Sequence, residues 1–367
     1  MTVAPEFSNK MKVMSFAAMV TVILIHSKTN GASAAAWDVF IQTLLNRGLS
    51  DWAVPFFFVA SGYWFGVSTA RLRFQEFILN GYVKLLQRKY KTLFLPYIAW
   101  CLIGAMLQLP LVCFNNHVKH TPLFSRIVFA ADGFWDFINN LFGITHIGPV
   151  GNMPLWFMRV LLFFFLFSPA WILLRQWMPK KMVLGIGVLM VLFQLNVPSI
   201  SLSLGSIGWM LIGLGLAEFN LSCNARRPIL TCILFGVVYV ACAIFESLSM
   251  AGWVDLGHAR IVFKRLIPFA GIPFWWMLYD LILRCCRRIP ALKIDTFWIY
   301  CIHQCFTAYT IAAGFYVLGK SDSVCICLMF VALVVGLTMS LWTSVLVKRI
   351  LPSAHSFLVG GRVVAGT

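Results

Sequence analysis

The sequence predicts an all-α, polytopic membrane protein with about ten transmembrane helices and cytoplasmic N- and C-termini. Three observations lead there. Hydrophobic residues make up 60% of the 367 and charged residues 11%, with a mean hydropathy of +0.86, which excludes a soluble globular chain. Apolar runs of bilayer-spanning length recur from end to end. The basic residues, finally, divide unequally between the two sides that successive spans would define.

The runs lie at 12–28, 52–70, 92–112, 154–174, 182–197, 202–219, 229–246, 266–284, 296–317 and 323–347. About 20 residues cross a bilayer, and fewer suffice where flanking Lys and Arg snorkel, so the shorter runs qualify. With the N-terminus inside, 20 of the 29 Lys and Arg fall in cytoplasmic segments, eight in outer loops and one, Arg159, within a run. That bias obeys the positive-inside rule and makes the net charge of +17 a topology signal. Scattered over loops, these charges do not form a nucleic-acid footprint, and no nucleic-acid partner is expected. The expected organisation is a cytoplasmic segment 1–11, a membrane domain 12–347 and a cytoplasmic tail 348–367, multi-pass in the inner (plasma) membrane. Lys10 and Lys12 ahead of the first run, and Ala32-Ser33-Ala34 after it, also resemble a signal peptide. Nine further runs favour retention of that first helix.

The connections carry their own patterns. Trp37, Phe40, Ile41, Leu44 and Leu45 repeat at helical spacing and predict a short helix in the membrane interface. In the inner segment 71–91, Phe74, Phe77, Ile78, Tyr82, Leu85 and Leu86 share a face, with basic residues elsewhere. This reads either as an interfacial helix drawn to anionic membrane lipid or as a surface for a phosphorylated molecule. Most of the eleven cysteines lie in or beside apolar runs, and their spacing forms no disulfide framework or ligand set. No metal and no permanently bound cofactor are expected.

Ionisable residues inside a bilayer are costly and mark function by default. His26 closes the charge-free run Val13–Ile25 and lies about 20 Å along the first helix. Arg159, counted from the other side, reaches a comparable depth of about 7 Å below the outer surface. His303 is about 11 Å into the ninth run. The plain alternatives are a hydrogen-bonded core histidine and an arginine that snorkels outward. Asp280, one turn from Arg284, and Asp295, ahead of the ninth helix, read as structural.

Five stretches together resemble one family. MKVMSFAAMVTVILIHS is similar to the first helix of the acyltransferase 3 family of integral membrane O-acyltransferases, and DWAVPFFFVASGYWFG to its second. LLQRKYKTLFLPYIAW resembles the basic approach to its third helix, PLWFMRVLLFFFLFSPAW its Leu-Trp-Phe-x-Arg helix, and FWIYCIHQCF its late Tyr-x-x-His helix. The resemblance implies that His26 is the catalytic histidine and Arg159 its cationic companion. It implies substrate contacts at Ser61, Arg88, Lys89, Trp156 and His303. The family has an arginine eleven residues before its histidine; Ser15 stands there in this chain, which leaves Lys12, Arg88 or Lys89 to meet the donor. Some relatives carry a hydrolase-like domain after the last helix; this chain ends soon after its tenth run, so the membrane domain is expected to perform the transfer itself.

These residue types suit the implied chemistry. Transfer to a hydroxyl needs a base near neutrality, which histidine supplies. It needs positive charge where an oxyanion develops, and Arg159 provides it. A coenzyme A thioester needs a cationic mouth, offered by Lys84, Arg88, Lys89 and Lys91. The expected reaction moves a short acyl group, expected to be acetyl, from cytoplasmic acyl-CoA to a hydroxyl of a cell-surface carbohydrate or glycolipid. The alternatives are a transporter or flippase of a glycan or lipid precursor, weakened by the absence of internal repeats, and a glycan polymerase, weakened by outer loops poor in basic residues.

Overall fold

The computed structural model describes residues 5–29, 35–117, 128–129, 131–194, 196–197, 202–219, 228–286 and 294–361. Its helices are α1 (Pro5–His26), α2 (Ala36–Thr43), α3 (Ala53–Thr69), α4 (Phe74–Glu76), α5 (Tyr82–Lys89), α6 (Leu95–His117), α7 (Phe134–Phe142), α8 (Trp156–Leu166) and α9 (Ser168–Trp177). They continue with α10 (Lys180–Phe193), α11 (Leu204–Leu216), α12 (Pro228–Met250), α13 (Ala259–Cys286), α14 (Thr296–Leu318), α15 (Asp322–Ile350) and α16 (Pro352–Leu358). A two-residue antiparallel pair, β1 (Asn196–Val197) with β2 (Leu202–Ser203), joins α10 to α11. An apolar chain in lipid must satisfy its backbone internally, and helices do so segment by segment. Their few hydroxyls follow suit: Ser15 donates to the Met11 carbonyl at 2.7 Å and Ser27 to Ile23 at 2.8 Å.

The chain is a multi-pass membrane protein. Among the described residues six helices are long and apolar enough to cross, or seven if α8 and α9, bent by 58°, count as one broken span, so six or seven of the ten expected spans stand as such helices. Hydropathy alone cannot see how long an unbroken helix becomes. The runs at 182–197 and 202–219 form helices of only 14 and 13 residues, about 20 Å long, and α3 with 17 stands at the lower limit. The segment 71–91 is helical as expected and does not stop before the next run: helical structure continues through π turns at Phe77–Gly81 and Tyr90–Phe94 into α6, unbroken from Phe74 to Pro110.

The described chain divides into two compact units. The first comprises 1–57, 220–296 and 310–337. Here α12 and α13 form a hairpin, and α2 with the π turn Leu44–Gly48 lies across α12. The short helix expected from Trp37 is present as α2, with Trp37 exposed and Phe40 stacked on Trp253 at 5.1 Å. Lys10, read in the sequence as a flanking charge, is buried. Its Nζ lies 2.6 Å from Asp280 and 3.9 Å above the Trp276 ring, tying α1 to α13. Asp280 therefore answers a lysine 270 residues away and is not explained by Arg284 on its own helix.

The second unit comprises 58–219, 297–309 and 338–367. α10 and α11 pack so closely that a Cβ on Gly187 would stand 2.8 Å from the Gly208 carbonyl oxygen, and one on Gly208 2.7 Å from that of Gly187. Small residues permit such contact between membrane helices. The described part of the expected tail is folded into this unit: α16 sets buried His355 against Trp298 at 4.9 Å, and Trp100 donates to the Leu358 carbonyl at 3.0 Å.

Candidate active site

In the first unit, His26 is the last residue of α1 and half-buried. Lys12, two turns into the same helix, is exposed, and the Ser15 hydroxyl is turned back onto its own helix. Of the two N-terminal lysines, Lys10 is thus structural and Lys12 is the one open to a soluble ligand.

The second unit contains a cavity of about 370 Å³, within the size range of small-molecule sites. Ser61, Trp64, Phe65 and Ser68 of α3 form one wall. Arg88 and Lys89 of α5, with Thr92 and Leu93 beyond, form a second, and Leu161 and Phe165 of α8 a third. Because α5 runs on toward α6, its last turn brings Arg88 and Lys89 to the same cavity as the α3 and α8 side chains. Arg88 is exposed, and Lys89 holds its ammonium 3.7 Å above the Phe165 ring, a cation–π contact that steadies the charge while leaving it positive. Cations and hydroxyls over an apolar floor form a receptacle for a ligand with an anionic end and a greasy one.

Arg159, 7% exposed, does not snorkel. Its Nη1 donates to the carbonyls of Ile144 and His146 at 3.3 and 2.9 Å, and its Nη2 to that of Ile147 at 3.0 Å. The guanidinium holds the loop that follows α7 and is in turn fixed by it. The loop starts at Gly143, whose left-handed φ of +61° closes α7 and would be strained with a side chain. Asn139 continues the clasp, accepting from the Thr145 amide and donating to its hydroxyl, both at 2.8 Å. Trp156, one turn before Arg159, packs its ring 5.8 Å from Phe58.

His303 is fully buried on α14. Its Nδ1 lies 3.0 and 2.9 Å from the carbonyls of Ile299 and Tyr300, and carbonyls only accept, so Nδ1 carries the proton. The neighbouring Tyr300 donates its hydroxyl to the Pro154 carbonyl, and Asn152 donates to the Cys301 carbonyl at 2.7 Å. These bonds tie α14 to the start of α8, so His303 belongs to a framework that orients the Trp156–Arg159 helix.

Of the expected site residues, the second unit gathers Ser61, Arg88 and Lys89 around one cavity, whereas Arg159, Trp156 and His303 belong to the helix and loop framework described above. Sequence reasoning does not single out Thr92, Ser68 or Trp64. Thr92 sits in the basic stretch and Ser68 about two turns beyond Ser61, but only the packing of three helices shows that they converge. The first unit also buries an acid that the sequence reading misses, Glu246, at 1% exposure. Its position at the end of the run 229–246 is the available signal.

Comparison with known proteins bears on the whole of this arrangement. The family model described as an acyltransferase domain (Acyl_transf_3) matches residues 11–349. No curated protein and no solved structure matches the chain.

Proposed function

The chain belongs to the acyltransferase 3 family and is a membrane acyltransferase, and on that premise we propose that it is an O-acyltransferase. Its donor in this reading is a cytoplasmic acyl-CoA, acetyl-CoA in the simplest form, and its acceptor a hydroxyl of a cell-surface carbohydrate or glycolipid. The protein lies in the inner (plasma) membrane with both termini cytoplasmic, as the charge bias indicates.

The observation that carries the donor assignment is the cavity of Ser61, Arg88, Lys89 and Thr92. Phosphate groups are bound by charge-assisted hydrogen bonds, and here two cations and three hydroxyls, Ser68 included, stand over apolar walls suited to a pantetheine arm and short acyl chain. Lys12, exposed at the start of α1, serves as a further phosphate contact in place of the family arginine.

His26 takes the proton of the acceptor hydroxyl as its oxygen attacks the thioester carbonyl. Arg159 supplies positive charge toward the oxyanion from an orientation set in advance by its three carbonyl partners, as electrostatic stabilisation requires. Trp156 lines the acceptor side, and His303 orients the helix that carries both. The C–S bond then breaks, the ester leaves on the acceptor and the thiolate of coenzyme A is protonated.

Donor binding is testable apart from turnover. Deleting one charge-assisted hydrogen bond to a phosphate should cost about 1.5–3 kcal/mol, on the order of 10- to 150-fold in affinity. Arg88→Gln and Lys89→Gln should each weaken coenzyme A binding by that factor, and rising salt should weaken wild-type binding. Unchanged affinity in both variants would reduce the cluster to a lipid and topology anchor.

A further inference from the structure

A cluster of polar and charged side chains in the first unit is left unused by this scheme. Asp51 sits in the turn before α3, and Glu246 is on α12 with Oε2 buried and without a hydrogen-bond partner among the described residues. The Glu246 carboxyl acts on Asp51 as a like charge. Arg47 of the π turn and Lys264 of α13 oppose that repulsion at both acids, and Arg260 does so at Glu246. Tyr239 of α12 also feels Asp51, and Lys28, just beyond α1, feels Arg47.

Asn46 supplies an independent indication of a bound species. It is 2% exposed, yet neither its amide oxygen nor its amide nitrogen has a hydrogen-bond partner among the described residues. Buried amides are rarely left so without water or a ligand. Its position follows from the packing. Tyr239 donates to the Leu49 carbonyl at 2.5 Å, and Gly48 lies against Ala243, so the chain runs back through Arg47 and Asn46 toward Glu246, one turn further along α12. The same π turn packs on α1, the helix that ends at His26.

We propose that Asp51 and Glu246, with Asn46 and the species it holds, form a proton-binding site that receives the proton His26 removes from the acceptor hydroxyl. This rests on the acyl-transfer reading. The balance is complete: the hydroxyl O–H breaks, C–O forms, C–S breaks, and the hydroxyl proton passes through His26 to the carboxyl pair. The thiolate takes its own proton from the solution around the donor. The pair then discharges to solvent before the next turnover. A half-buried Asp51 beside a buried Glu246 holds one proton where a single exposed acid would hold none. Consistent with this, burial and Glu246 together push the Asp51 carboxyl up to about 7.

Infrared difference spectra of the full chain in lipid nanodiscs, stepped from well below to well above about pH 7, read the site directly. The carbonyl band of a protonated carboxylic acid should disappear across that range in wild type and be missing or displaced in Asp51→Asn and Glu246→Gln. Transfer should fall on the order of 100-fold in both variants. The conservative Asp51→Glu should keep the band and much of the rate. In Asp51→Asn the residual rate should lose its acid limb near neutrality, because the group that titrates there is gone. Absence of a titrating band overturns the proposal whether or not transfer is seen, and so does full transfer in both neutralised variants. A titrating band in a protein that transfers no acyl group supports the proton site and instead refutes the reaction reading beneath it.

Discussion

Breaking the Lys10–Asp280 pair should be among the most damaging conservative changes in the first unit. The two groups are 2.6 Å apart at 1% and 4% exposure, and the ammonium also sits 3.9 Å over Trp276. Asp280→Asn leaves a buried cation short of its counter-charge, and Lys10→Met leaves a buried carboxylate. Removing one member of such a pair costs about 3–5 kcal/mol. Lys10→Met additionally forfeits a desolvated cation–π interaction worth about 2 kcal/mol. The double change Lys10→Met with Asp280→Leu removes both charges, and well-packed apolar replacements are often close to neutral. It should therefore be more stable than either single variant, with a coupling energy above about 2 kcal/mol in a double-mutant cycle. Denaturant titration in mixed micelles, followed by tryptophan fluorescence, measures all four proteins. Single variants within about 0.5 kcal/mol of wild type would show that the pair is not a buried ion pair and that α1 is held to α13 by apolar contact alone.

Three other outcomes follow. Asp51 is raised from 3.8 to about 7, so the folded state binds more protons there than the unfolded one, and stability should fall as pH rises through that window. Asp51→Asn should flatten that slope and melt higher than wild type above about pH 7; a slope unchanged by the substitution contradicts the burial argument. Arg159→Lys keeps the charge but not the three-way clasp on Ile144, His146 and Ile147, so hydrogen exchange at the Thr145 amide should speed up by tenfold or more, a loosening of about 1.4 kcal/mol. Unaltered protection would remove the clamp role. Single-cysteine tags near 120 and 256 should label from outside and those near 80 and 290 only from inside, and reversed labelling would exchange the donor and acceptor sides.

The class of fold is legible because lipid leaves a chain few choices: long charge-free runs become helices, and α1, α12, α13, α14 and α15 stand where hydropathy puts them. Helix length is less legible: the runs at 182–197 and 202–219 read as spans, and their described helices are 14 and 13 residues long and meet through glycines. The basic stretch 84–91 is recognisable as a cluster, but its use depends on whether the helix stops or continues, and composition does not reveal a π turn. Lys10 shows the same boundary from the other side. Its partner is 270 residues distant, so no local pattern distinguishes it from Lys12 two residues on. Asn46 and Asp51 carry no motif at all; only the fold sets the π turn that holds Asn46 against α12, the helix of Glu246.

The central claim is that the membrane helices themselves transfer an acyl group, with His26 as the base. The most direct measurement incubates the purified protein with acetyl-CoA labelled in the acetyl carbon and a carbohydrate extract from the cell surface, then follows the label into alkali-labile ester. The account predicts transfer by the wild type and its loss in His26→Ala, by on the order of 10²- to 10⁴-fold, with expression and membrane insertion intact. Near-normal transfer by His26→Ala would contradict it.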